Sequence, residues 1–70
     1  MREHIGFRLR RLREERGISR RELAKLLGCT VGNVGHIETG NQSLSLSQLA
    51  TVAGRLGVSV DALMAGAELG

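Results

Sequence analysis

Seventy residues, 41% apolar and 24% charged, make one small domain and leave no room for a two-lobed enzyme cleft. The net charge of +3 is uneven: residues 1–25 hold nine of the ten Lys/Arg against four acids, and residues 26–70 hold one Arg against three acids, which suits a polyanion partner or a solvated, salt-bridged helix. Cys29 as the single cysteine excludes an internal disulfide, Phe7 as the sole aromatic disfavours stacking on single strands, and no apolar run approaches the roughly 18 residues of a membrane span.

The first helix is marked by Ile5, Leu9 and Leu12 at helical spacing, with Gly17 as its stop. Phe7 points away from that stripe, either as a ring lying over Arg stems or as a contact for another protein. "SRRE", Ser19 to Glu22, reads as a capping box opening a second helix. Leu23, Ala24 and Leu27 continue it, and Gly28 ends it. Thr30 caps a third helix, with Val34 and Ile37 inward and Gly40 after. "SLSQ", Ser45 to Gln48, is a second capping box, followed by Leu49, Val52, Ala53 and Leu56 and stopped by Gly57. Ser59 caps the last helix, "VDALM", where Asp61 suits the positive end of the helix dipole, and Gly66 follows.

A second signal agrees with the caps. Ile18 with Leu23, Cys29 with Val34, Leu44 with Leu49, and Val58 with Leu63 each have the spacing of a hydrophobic staple. No strand alternation competes. The expected fold is all-α: five short helices in a single domain spanning 1–70, with residues 41–44 as the main loop and a short tail at 65–70. Cys29 is expected to serve as a small staple residue.

Only Gly28, Cys29 and the Thr30 cap join helices two and three, a turn short enough for a helix-turn-helix motif over about 19–38. In that motif the second helix offers its outer face to the DNA major groove. The outward set here is Val31, Gly32, Asn33, Gly35 and His36. Asn33 can read adenine bidentately or bond its own helix start. The Val31 methyls can meet a thymine methyl, and His36 can donate to guanine or simply face solvent. His36, Cys29 and His4 lack metal-ligand spacing, so no metal and no cofactor are expected.

The stretch from Ile5 to Met64 resembles the Cro/C1-type (Xre) helix-turn-helix domain. "LREERGISRRELAKLLG", the "IETG" that ends the third helix and "LGVSVDALM" carry the resemblance. It implies a cytosolic, lambda-repressor-like domain of a bacterial or phage transcriptional repressor that binds palindromic operators as a dimer. It places Ser19, Arg20 and Thr30 at phosphate contacts, with Arg20 standing where members usually carry Gln. It places Val31, Gly32 and His36 at base edges with Asn33 and Gly35 beside them, so Val31, Gly32, Asn33 and His36 are the expected base-reading residues. Asn41, Gln42 and Ser43 match a loop that tracks the DNA backbone, here without the Lys, Arg or Pro that many members carry. Arg13 and Glu38 are implied to pair, tying the first helix to the third. Leu44, Val58, Val60 and Met64 are the expected dimer surface. Arg21, Arg8 and Arg11 are further phosphate candidates.

The expected function is therefore sequence-specific binding of double-stranded DNA. The alternatives are a protein-interaction module with a protein partner, favoured by the short apolar outward face, or the DNA-binding antitoxin of a toxin–antitoxin pair. No nucleophile–base pair or carboxylate pair points to an enzyme. "MREHIGFRLR" has no signal-peptide core, so a cytoplasmic protein with no membrane partner is expected.

Overall fold

Four polar caps and the left-handed glycines after the first four helices set the architecture. A computed structural model describes residues 3–65, 67 and 68, the four strand residues by backbone only. Among them lie five helices: α1 (Ile5–Glu15), α2 (Arg20–Leu27), α3 (Val31–Glu38), α4 (Leu46–Leu56) and α5 (Val60–Met64). Ser19, Thr30, Ser45 and Ser59 each hold an extended backbone and accept a hydrogen bond from the third helical N–H. Gly28 and Gly57 end α2 and α4 in the left-handed conformation that a side chain disfavours.

The second capping box is complete: Ser45 Oγ accepts from the Gln48 N–H, and Gln48 Oε1 accepts from the Ser45 N–H. The first box is not as expected. Ser19 accepts from the Glu22 N–H, but the Glu22 carboxylate accepts from Arg55 Nε of α4 at 2.8 Å. A cation from a neighbouring helix is a stronger partner for a carboxylate than a backbone amide. The expected helix stop at Gly66 lies outside the described residues; Ala65 is the C-cap of α5.

The fold is all-α apart from one short backbone pairing. Glu3–His4 (β1) runs parallel to Ala67–Glu68 (β2), with Glu3 opposite Ala67 and His4 opposite Glu68. Part of the expected 65–70 tail is therefore paired; 66, 69 and 70 lie outside the described residues.

The core gathers one stripe from every helix: Ile5 and Leu9, Leu23 and Ala24, Val34 and Ile37, Leu49, Val52, Ala53 and Leu56, and Leu63, with Ile18 from the α1–α2 turn. Both members of each staple pair are buried or half-buried, Cys29 among them. α1 packs closely on α3 at Gly6. A Cβ placed on Gly6 would sit 1.9 Å from the Ile37 carbonyl oxygen, so only glycine fits there.

Candidate nucleic-acid interface

The helix pair α2–α3 turns on Gly28, whose positive φ reverses the chain, and on the Thr30 cap. Val34, Ile37 and Glu38 bury one face of α3. The opposite face is open. Val31 is 46% exposed, Gly32 and His36 are exposed, and Asn33 and Gly35 are half-buried. A Cβ on Gly35 would meet nothing within 4 Å, and one on Gly32 only Thr30 Oγ1 at 3.9 Å. Of the four expected base-reading residues, Val31, Gly32 and His36 are exposed on this face and Asn33 is half-buried.

Ser19 and Thr30 use hydroxyl lone pairs as helix caps, and each hydroxyl hydrogen remains able to donate to an anion. The loop after α3 is differently committed. The N–H groups of Asn41 and Gln42 both donate to the His36 carbonyl, at 2.8 and 3.1 Å, and so satisfy the end of α3. Asn41 Nδ2 donates to Thr39 Oγ1. Asn41, Gln42 and Ser43 are exposed, so side chains rather than Asn41 and Gln42 amides are what this loop can offer a phosphate.

The arginines divide sharply. Arg8 donates from Nε to the Leu63 carbonyl at 2.8 Å and from Nη2 to the Ala62 carbonyl at 2.9 Å. Arg16 donates from Nε to the Leu56 carbonyl at 2.7 Å. Two guanidinia from α1 and its following turn thus close the C-terminal ends of α5 and α4, where orphaned carbonyls and the negative dipole end favour a cation. Arg8, expected as a phosphate candidate, is thus engaged with the end of α5. Arg21 is exposed, and Arg10 pairs with Glu14 on the surface of α1.

Arg13 and Glu38 meet across 25 residues. Arg13 Nε donates to Glu38 Oε2 at 2.7 Å and Nη2 to Oε1 at 3.2 Å, a two-point contact. Arg13 Nη1 also donates to the Ile18 carbonyl at 2.8 Å. Arg20 joins them, donating from Nε to Glu38 Oε1 at 3.2 Å. The Arg20 side chain is 44% exposed, so it occupies the solvent side of this cluster. Its share of Glu38 joins residues 18 positions apart, a relation that local spacing does not carry.

Leu44, Val58, Val60 and Met64, the expected dimer surface, are all half-buried and pack against the core. Among the described residues the most exposed large apolar side chain is Leu46, at 74%, the first residue of α4. Phe7 is half exposed, at 50%. Among the described residues no group of three His, Cys, Asp or Glu could hold a metal, and the His4 side chain lies outside them. No helix there is long and apolar enough to cross a membrane.

A family model for the helix-turn-helix domain matches residues 4–65. Among solved structures, the chain is similar to the clp gene regulator ClgR from Corynebacterium glutamicum, with 32% identity and a TM-score of 0.81, covering 89% of this chain and 66% of that one. It thus spans just under two thirds of the ClgR chain. It is similar also to the restriction-modification controller protein C.AhdI from Aeromonas hydrophila, with 36% identity and a TM-score of 0.74, covering 84% and 89%. SinR, the master regulator for biofilm formation solved in complex with DNA, shares 36% identity at a TM-score of 0.74, covering 86% and 97%. No curated protein matches the chain.

Proposed function

The chain belongs to the helix-turn-helix domain family, in its Cro/C1-type branch, and we propose that it is a single 1–70 domain that binds specific double-stranded DNA and regulates transcription as a repressor. The observation that carries this reading is the open outer face of α3. Val31, Gly32 and His36 lie exposed on it with half-buried Asn33 at its edge, Val34 and Ile37 anchor its back, and Glu38 fixes its far end. An uncovered short helix braced from behind is what major-groove reading needs.

Ser19, Arg20, Thr30, Asn41, Gln42 and Ser43 supply phosphate contacts around that helix, and they position it without reading sequence. One such domain covers little DNA, so two copies bind a palindromic operator with half-sites about one helical turn apart. Leu44, Val58, Val60 and Met64, half-buried at the edge of the core, form the pairing surface. The protein works in the cytoplasm, with no cofactor and no enzymatic reaction.

Selection of bound sequences from a random duplex pool tests this reading. An enriched two-fold-symmetric site, protected over both halves in a footprint, supports it. A footprint confined to one half-site at saturating protein counts against the dimer alone.

A second reading has its own observation. Loop residues 41–43 carry no cation, and Leu26 and Val31 are exposed near the α2–α3 turn, as a protein-interaction module or an antitoxin that also holds a protein would need. A pool selection that enriches nothing favours the module; enrichment together with a toxin encoded in the neighbouring gene favours the antitoxin.

A further inference from the structure

We propose that Glu38 is a positioning residue for Arg20: it holds the guanidinium by its Nε edge and so presents the Nη edge to a DNA phosphate. This rests on the reading of the chain as a DNA binder.

The Glu38 side chain has no exposure, yet its two oxygens serve two arginines. Oε2 takes Arg13 Nε, and Oε1 is shared by Arg13 Nη2 and Arg20 Nε. Arg13 cannot turn outward, because it is buried and also committed to the Ile18 carbonyl. Arg20 is the solvent-side member. Two guanidinia on one carboxylate leave a unit of positive charge, and Arg20 carries it at the surface.

Helix stability does not account for this arginine. Arg20 is the first residue of α2, where the positive end of the helix dipole disfavours a cation. A planar fork can bond a carboxylate along one edge and a phosphate along another. A lysine, as a point charge, cannot hold both in fixed geometry. Glu38 is also the last residue of α3. One carboxylate therefore sets the phosphate contact and the reading helix in register with each other.

The test measures affinity for the pool-selected duplex and for random duplex across a KCl series, using the parent, Arg20→Ala and Arg20→Lys, each below its melting temperature. Losing one phosphate contact flattens the slope of log affinity against log salt by roughly 1, so the Ala defect is about fourfold larger at 50 mM than at 200 mM. Arg20→Lys is expected to bind random duplex nearly as the parent does but to lose most of the preference for the selected duplex. In the parent, the Arg20 Nε–H NMR signal is expected to stay protected from exchange when duplex is added.

An unchanged slope in Arg20→Ala overturns the proposal and leaves Arg20 an internal brace. Full rescue by Lys also overturns it, since a mobile charge then suffices. So does loss of Nε–H protection on binding, which means that Arg20 leaves Glu38. If the parent shows no salt-dependent binding to any duplex, the DNA reading itself fails and the proposal falls with it.

Discussion

Arg13 Nε lies 2.7 Å from Glu38 Oε2, in a pair whose carboxylate is wholly buried and whose arginine side chain is 9% exposed. The contact joins the last turn of α1 to the last residue of α3, and a third bond from Arg13 holds the α1–α2 turn through the Ile18 carbonyl. Breaking a buried pair from one side leaves an uncompensated charge, at about 3–5 kcal/mol. The two sides are not equivalent here. Removing Arg13 leaves Glu38 still bonded to Arg20, whereas removing Glu38 strands a buried guanidinium with only the Ile18 carbonyl. Urea denaturation is expected to show Glu38→Ala losing more stability than Arg13→Ala, the first near the upper end of that range and the second near the lower. Equal losses would mean that Arg20 gives Glu38 no support.

Gly6 sets how closely α1 lies on α3. Its missing Cβ would fall 1.9 Å from the Ile37 carbonyl oxygen, and the neighbour is backbone, which cannot rotate away. Gly6→Ala must push the two helices apart, lengthening the Arg13–Glu38 contact that spans the same pair. Overpacking of this kind costs roughly 1–3 kcal/mol. A thermal melt below the parent's is expected, although the same substitution in an open helical position is stabilising.

The elements were legible because their signals are local. Ser19, Thr30, Ser45 and Ser59 announce helix starts by what lies within three residues, and Gly28 and Gly57 announce ends by the left-handed turn they permit. Apolar spacing likewise gives the buried faces. What escaped the sequence depends on residues far apart in the chain. Arg8 reaches a carbonyl 55 positions away, Arg16 one 40 away, and Glu22 leaves its capping box for Arg55, 33 positions on. Gly6 escaped because apolar periodicity reports side chains, and its constraint is a carbonyl brought in by packing. At the site, the open face of α3 was readable, but the sharing of Glu38 between Arg13 and Arg20 was not.

The division of the arginines makes a separate prediction. Arg8 is occupied with the last carbonyls of α5, so Arg8→Ala is expected to lower stability by about 1–2 kcal/mol through two lost bonds from a charged donor. It should leave the salt slope of DNA binding unchanged. Chemical denaturation and a gel-shift salt series measure the two effects independently. A slope flattened by about 1 would place Arg8 on a phosphate after all.

Gly32 and Gly35 differ from every glycine that the fold requires. Gly28 and Gly57 have positive φ, and Gly6 has no room; Gly32 and Gly35 have ordinary helical backbones and open space where a Cβ would go. Each nevertheless costs about 0.5–1 kcal/mol relative to Ala in a helix interior. Unused stability is common in natural proteins, so the cost alone proves nothing. The position is more telling, because both glycines sit among the short side chains of Val31, Asn33 and His36, which reach base edges only if the backbone comes close. Gly54, equally open but on α4, is the control. Alanine at Gly32, Gly35 or Gly54 is expected to raise the melting temperature. Glutamine at Gly32 is expected to weaken binding to the selected duplex while random-duplex binding stays near the parent's, and Gly54→Ala should change neither. If Gly32→Gln and Gly35→Ala both bind the selected duplex as tightly as the parent, close approach of α3 is not the reason for its glycines.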